Sequence, residues 1–428
     1  GTEGKSSTVF FTWQLLRLVG KKAGFISTVQ YSLGEEAIDN PEHQTTPEAP
    51  IIQEKLYQML QNGCEYAVVE SSSHGLSVKT NRLGDVAFDA VAMMNVTHEH
   101  LEFHGTHQQY KSDKANLFRA LDKFSHTKNL TTGKMDFTPF GLVNLEDSSS
   151  QYFIQATKSK VFGFSAPGCA GNKQDNSTQT DFSEENYSGF IQATDVNSSS
   201  KTCSCKLVNN TNSEFNQNEN QLKLNFTGTF NIYNALASSM LVSKLTKTEF
   251  SKVLEQTTNL IPVKGRMTTV DLGQDFEVIV DYAHTPSSFE TIFPPLRKRC
   301  KGKIISLFGS GGERDTKKRS VQGQIASKWC DIVILADEDP RGEDSVELLE
   351  MIAEGCKDEN GNYLKREERL FIIPDRKKAI RKAFSLCKKD DIVLLLGKAH
   401  ENSIIYKDFV MPYDEISEAE NALKEMGY

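Results

Sequence analysis

Short apolar runs recur along the chain, separated by longer stretches in which apolar residues return every three or four positions. The runs YAVV (66–69), AVAMM (90–94), KIISLF (303–308), DIVILA (331–336), RLFII (369–373) and DIVLLL (391–396) hold aliphatic and β-branched residues without alternation. Runs of that kind predict strands buried on both faces, as in a parallel sheet, and the periodic stretches between them predict its covering helices. The expected fold class is therefore α/β. From about 170 to 225 the pattern changes: Asn, Ser, Thr and Gln dominate, and YSGFIQAT and QLKLNFTGTF alternate apolar with polar positions. That stretch predicts antiparallel strands and polar loops at the rim of a first domain. In LIPVKGRM (260–267) a Pro and a Gly bracket the start of a new strand series, so two domains are expected, 1–260 and 261–428.

Composition narrows the classes. Hydrophobic residues make up 38% and charged residues 25%, and the net charge is −8, which argues for a globular protein and against a nucleic-acid-binding surface. The basic cluster RKRCKGK (297–303) reads as a solvated helix end. No stretch reaches the roughly 18 to 20 apolar residues a membrane span needs, so no membrane partner is expected. The eight cysteines are scattered with no C-x-x-C pair, favouring reduced thiols and a cytoplasmic location over a disulfide framework or a zinc site.

The chemistry-bearing residues follow the apolar runs. Glu70 and Ser71 to His74 come after YAVV, Asn95 to His104 after AVAMM, and Asp281 to His284 after FEVIV. GSGGERD (309–315), DEDPRGED (337–344) and GKAHE (397–401) occupy the same kind of position. In parallel sheets ligands bind beyond the carboxyl ends of the strands, so these groups are expected to gather there. At the amino terminus, GTEGKSS reads as a phosphate-binding loop entering a helix: Gly1 and Gly4 let backbone N–H groups approach phosphate, Lys5 neutralises it, and Ser6 places a hydroxyl on Mg²⁺. Glu70 is a candidate Mg²⁺ ligand, since magnesium takes carboxylates, phosphates and water. NVTHEHLEFHG packs His98, His100 and His104 close together; His98, His104 and His107 are read as hydrogen-bonded loop residues.

Taken in order, GT-x-GK-S, TTPEAP, ESSSHGL, NVTHEHLEFHG, YKSDKANLF, GTFNIYNALA, GRM, VDYAHTP, FGSGGERDTKKR, DEDPR and GKAHE resemble the Mur ligases, and among them the type acting on UDP-N-acetylmuramoyl-dipeptide. The resemblance implies a central P-loop ATPase-like domain followed by a C-terminal Rossmann-like α/β domain. A UDP-sugar-binding domain and the strand that feeds the phosphate loop are expected upstream, so the chain is expected to be a fragment that is poorly stable as written. It implies ATP and Mg²⁺ as cofactors, UDP-muramoyl-dipeptide and a diamino acid as partners, and a monomer. ATP would phosphorylate the free carboxylate of the D-glutamyl end, and the amino acid's amine would displace phosphate to give the amide.

Site residues carry over position by position. Gly1, Thr2, Gly4, Lys5, Ser6 and Ser7 would hold the nucleotide phosphates, with Asn231 on the adenine side and Arg266, Asp281 and His284 closing on phosphate and ribose. Ser6, Glu70, His100 and a carbamylated Lys114 would hold magnesium, the last three being the catalytic set. Thr45, Thr46, Ser72 and Arg82 would contact the glutamyl end, Arg82 standing two positions later than the family's usual arginine. Arg314, Asp339, Arg341, Gly397 and Glu401 would contact the incoming amino acid. The family's D-N-P-R, in which arginine grips the distal carboxylate of meso-diaminopimelate, is here Glu338-Asp339-Pro340-Arg341. Retained Arg341 favours meso-diaminopimelate, while anionic Asp339 leaves L-lysine open. A folylpolyglutamate synthase or another superfamily amide ligase is a second enzyme reading; a non-catalytic P-loop nucleotide binder is a third.

Overall fold

Aliphatic residues at every position of a run leave a strand no polar face, so it folds stably only where both faces are covered. The second half of the chain meets that demand. A computed structural model of the protein describes residues 4–40, 45–96, 101–130, 133–167, 169, 188–199, 201–209, 215 and 220–428. It divides into two compact units, Gly1–Ile261 and Pro262–Tyr428.

In Pro262–Tyr428 the strands run in the order Thr268–Val270, Glu277–Asp281, Ile392–Leu396, Ile304–Phe308, Ile332–Leu335 and Leu370–Ile372, a six-stranded sheet. All neighbours pair parallel except the antiparallel edge strand Thr268–Val270. Ile304–Phe308 and Ile392–Leu396 are buried throughout. Helices Pro286–Arg299, Lys317–Trp329, Ser345–Ala353, Arg376–Ser385 and Glu415–Glu425 connect or follow the strands, and Ala379, Ile380, Ala383, Phe384, Ala419 and Leu423 pack onto the sheet. Beneath them Arg376 and Glu415, both fully buried, form a two-pronged ion pair at 2.8 Å. The basic cluster is a helix end whose Lys298, Lys301 and Lys303 are exposed, as expected, but its two arginines are half-buried. Arg299 makes two bonds to Glu277 at 2.6 and 2.7 Å, and Arg297 bonds Asp331 and the Gly302 carbonyl, so these charges tie a helix end to the sheet.

The first unit carries two main sheets. One has the order Ile38–Asp39, Gln30–Ser32, Ala23–Ile26, Tyr66–Val69; the other runs Asn220–Leu224, Cys203–Asn209, Phe190–Ser198, Lys160–Ser165, Phe140–Asn144, Ala90–Met93. Helix Lys5–Leu18 lies against helix Phe230–Thr246, each buried over most of its circumference. Strand Phe190–Ser198 pairs parallel with Lys160–Ser165 and antiparallel with Cys203–Asn209, which pairs antiparallel with Asn220–Leu224. Residues 170–187 of the polar region lie outside the described residues. The last of these strands is shorter than QLKLNFTGTF suggests, because Gly228 at φ 97° turns the chain into the following helix.

One expectation fails here. Among the described residues Tyr66–Val69 pairs only with Ala23–Ile26, and Ala90–Met93 only with Phe140–Asn144. Both strands line one cavity of about 1490 Å³, together with Leu60, Phe118 and Phe162. YAVV is therefore an edge strand, not a strand covered on both faces: Ala67 is exposed, its three neighbours are half-buried, and Leu60 is 66% exposed. No helix among the described residues is long and apolar enough to cross a membrane, and all eight cysteines are free thiols.

Candidate active site

In the first unit the site is built at the amino end of helix Lys5–Leu18. Gly4 caps it at φ 79°, and a Cβ there would lie 2.5 Å from Asn234 Oδ1, so the turn admits only glycine. No acidic residue occupies the first turn, where Lys5, Ser6 and Ser7 begin the helix and its dipole favours an anion. Parallel pairing of Tyr66–Val69 with Ala23–Ile26 delivers Glu70 to that turn. Ser6 Oγ donates to Glu70 Oε1 at 3.0 Å, and Thr28 N donates to Glu70 Oε2 at 2.8 Å. Ser6 and Glu70 are 5% and 1% exposed. Hydroxyl and amide donors only partly offset the cost of burying that carboxylate, and a divalent cation held by Ser6 and Glu70 would complete the compensation. Magnesium keeps phosphate and water in its shell, so a hydroxyl and one carboxylate are the kind of protein ligands it takes.

Lys114 lies on helix His107–Arg119, buried, with Nζ 4.6 Å from the Tyr110 ring centre. Gly1, Thr2, His98 and His100 fall outside the described residues. Thr46 is buried and uses its hydroxyl twice, donating to the Glu70 carbonyl at 3.2 Å and accepting from Ser72 N at 3.0 Å. It fastens the Glu70 and Ser72 backbones together. Thr45 beside it is half-buried. Arg82 donates to the Thr46 carbonyl at 2.9 Å and pairs with Glu48 at 2.5 Å, so it reaches this loop despite its shifted position. Ser72 caps the short helix Ser73–Leu76, accepting from Gly75 N. Asn231 is buried near the start of helix Phe230–Thr246 and donates to the Thr227 carbonyl. Sequence reading missed Asn234, one turn further, which accepts from Thr8 Oγ1 at 3.4 Å and presses on Gly4. The signal was the Asn-x-x-Asn spacing, which sets both amides on one helix face.

The second unit gathers its own set at strand ends. Asp281 closes strand Glu277–Asp281 and accepts from Met267 N and Ala283 N, both at 2.8 Å, holding the Gly-Arg-Met turn. Burial raises its carboxyl above the usual range, opposed by Arg266 and those amides. The Arg266 guanidinium sits 4.9 Å from the Tyr282 ring centre. His284 Nδ1 donates to the Tyr282 carbonyl at 2.9 Å, which fixes the ring beside the Asp281 strand end. His400, unassigned by sequence, packs tilted against Tyr282 with ring centres 4.5 Å apart, and burial with Arg266 and His284 nearby drives its pKa down to about 3.

Asp339 Oδ1 accepts from Lys398 Nζ at 2.8 Å and Ile405 N at 2.9 Å. Lys398, 1% exposed, also bonds Glu401, whose other oxygen accepts from Tyr282 Oη at 3.2 Å. Burial raises the Glu338 and Glu401 carboxyls. Gly397 at φ 98° leaves no room for a Cβ, which would lie 2.8 Å from Glu338 Oε2. Arg341, at φ 54°, stands 3.9 Å from Asp339, and its Nε is buried with no hydrogen-bond partner among the described residues. Arg314 is exposed, whereas nearby Arg319 is fully buried and bonds Glu343 at 2.7 and 2.9 Å. Arg319 thus has a structural place that its charge did not advertise.

Comparison with known proteins meets this geometry. Residues 1–242 match the family model described as Mur ligase middle domain, and residues 265–399 match Mur ligase, glutamate ligase domain. A UDP-N-acetylmuramyl-tripeptide synthetase of Treponema denticola is 56% identical, the match covering 99% of this chain and 75% of that one. A UDP-N-acetylmuramoyl-L-alanyl-D-glutamate--2,6-diaminopimelate ligase of Caldanaerobacter subterraneus is 31% identical over 97% of this chain and 75% of its own. A solved structure of a ligase of that same name shares the fold at a TM-score of 0.63 and 23% identity, covering all of this chain and 78% of that one. With a glycine-capped helix facing a buried carboxylate in one unit, an Asp339–Lys398–Glu401 cluster in the other, and both family models matched in order, the chain belongs to the Mur ligase family.

Proposed function

We propose that this chain is the ATP-dependent ligase that joins the third amino acid to UDP-N-acetylmuramoyl-L-Ala-D-Glu in cytoplasmic peptidoglycan synthesis. Mur ligases are ATP-dependent amide ligases, and the names of the relatives support this member of the group. The observation that carries the reading is the Ser6–Glu70 bond at the amino end of a helix with no acid in its first turn.

A carboxylate is a poor electrophile. Phosphorylating it at the expense of ATP gives an acyl phosphate and ADP; the amine then adds to the acyl carbon, inorganic phosphate leaves, and the nitrogen loses a proton. Bringing one anion to another demands positive potential, which the first turn of helix Lys5–Leu18 and Lys5 itself supply. Ser6 and Glu70, with His100 and a carbamylated Lys114, would hold Mg²⁺, which screens the phosphate charge. Thr46, Ser72 and Arg82 orient the glutamyl carboxylate. Arg266 and His284 would act on the nucleotide, with Asp281 holding the Arg266 turn. Glu401 and Gly397 take the ammonium end of the acceptor.

For the distal end we favour meso-diaminopimelate over L-lysine. Asp339 is already compensated inside the protein by Lys398, while the Arg341 Nε is buried without a partner among the described residues and suits a second carboxylate. The test is incubation of the protein with ATP, UDP-N-acetylmuramoyl-L-Ala-D-Glu and each of a panel of diamino acids. UDP-muramoyl-tripeptide and ADP should form in equal amounts, fastest with meso-diaminopimelate. Equal use of L-lysine would remove the acceptor assignment, and no product with any acceptor would remove the ligase reading.

A further inference from the structure

Three buried side chains without an assigned role form a continuous line in the first unit. His104 Nδ1 lies 2.7 Å from Asp113 Oδ2, and its Nε2 lies 3.1 Å from Ser73 Oγ. The His104 and Asp113 side chains are 0% and 2% exposed, and Ser73 is buried. His104 ends helix Leu101–His104 and is not the loop residue its sequence context suggested. Gln109 Nε2 donates to the second Asp113 oxygen at 2.9 Å. The carboxylate is the accepting partner, so Nδ1 is the donor toward Asp113, and Nε2 accepts from the Ser73 hydroxyl.

The order Ser–His–Asp is that of a hydrolytic nucleophile, but a nucleophile has to reach a substrate, and these three are closed from solvent. What matters is what the ends of the line carry. Ser73 opens the short helix whose cap is Ser72, and Asp113 immediately precedes Lys114 on helix His107–Arg119. A second bond, Asn116 Nδ2 to the Leu76 carbonyl at 2.9 Å, joins the same two helices one turn on. We propose that Ser73, His104 and Asp113 are positioning residues that fix the spacing between Ser72 and Lys114, and with it the attitude of the glutamyl carboxylate toward the transferred phosphoryl group. The inference rests on the ligase reading above. Ser72 Oγ accepts from Gly75 N, a role that leaves its proton for the carboxylate, while the Ser73 proton is committed to His104.

The test compares Ser73→Ala, Ser73→Thr and Asp113→Asn with the parent protein, reading kcat, the KM of each substrate, and ¹⁵N imidazole resonances. Misplacement on the ångström scale predicts that Ser73→Ala lowers kcat about 30-fold while the KM for ATP stays within about twofold. Ser73→Thr, which keeps the hydroxyl, should return kcat to within about threefold of the parent. The ring signal that disappears in His104→Gln should show Nδ1 protonated in the parent and lose that preference in Asp113→Asn. Parental kcat in Ser73→Ala, failure of Ser73→Thr to rescue, or an Nε2-protonated ring in the parent would each overturn the proposal. If instead the parent forms no tripeptide, the ligase reading itself has failed, a result distinct from an active parent with an equally active Ser73→Ala.

Discussion

The two units use the same kind of strand and bury it differently. DIVLLL becomes Ile392–Leu396, flanked by Glu277–Asp281 and Ile304–Phe308 and wholly buried. YAVV becomes Tyr66–Val69, flanked on one side by Ala23–Ile26 and open to the cavity on the other, with Ala67 exposed. An apolar run states that a strand wants neighbours; whether it has them is decided by the sheet. Glu70, next to the open edge, is nevertheless held by the Ser6 side chain and the Thr28 backbone amide, so the site in the first unit depends on cross-links where the second relies on a continuous sheet.

The largest expected contrast is in amide hydrogen exchange. Amides of Ile392–Leu396 should exchange only through opening of the whole unit. Those of Tyr66–Val69 that face the cavity should exchange at least about 1,000-fold faster, because fraying an edge needs far less free energy. Equal protection would mean that the edge is covered in solution. Truncations sharpen the same point: Leu394→Ala, in the closed sheet, should cost about 3 to 4 kcal/mol in urea unfolding, and Val68→Ala about 1 kcal/mol or less. Similar losses at the two sites would contradict the difference in burial.

A third prediction concerns pH. The folded pKa of His400, about 3, lies below its ordinary value near 6.5, so between those limits the unfolded chain binds more protons. Its contribution is therefore fully present above about pH 6.5 and is lost progressively as pH falls toward 3. Asp281, Glu338 and Glu401, whose carboxyls are raised, act in the opposite sense, so the difference between parent and variant isolates the histidine. His400→Leu should flatten the fall in unfolding free energy of the second unit between pH 6 and 4, and an unchanged slope would refute the assignment. The smallest effect is expected at Ala399, which sits at φ 34°, where L side chains are strained. Ala399→Gly should stabilise by about 0.5 kcal/mol, relief of strain being partly offset by the added freedom of glycine in the unfolded chain. A lower unfolding midpoint would show that the alanine is not strained.

Much of this was legible because parallel strands are written as unbroken aliphatic runs and chemistry follows their carboxyl ends. Glu70, Asp281, Asp339 and Glu401 were readable on that ground alone. Other residues were hidden by the rule that charge belongs at the surface: Arg319, Arg376 and Lys398 are buried and work as internal cations for Glu343, Glu415 and Asp339. Asn234 was missed because its contact with Gly4 joins residues far apart in the chain. The exposure of Ala67 was not legible in the run YAVV itself, since a local pattern does not report which neighbours a strand has.

The central claim is that the substrate carboxylate is activated by phosphoryl transfer at the Ser6–Glu70 site. It is tested most directly by running the ligation with UDP-N-acetylmuramoyl-L-Ala-D-Glu carrying ¹⁸O in the glutamyl side-chain carboxylate. If an acyl phosphate forms, its bridging oxygen leaves with phosphorus, and each amide bond made should release one inorganic phosphate bearing one ¹⁸O. Tripeptide formed with no ¹⁸O in the phosphate would contradict the account.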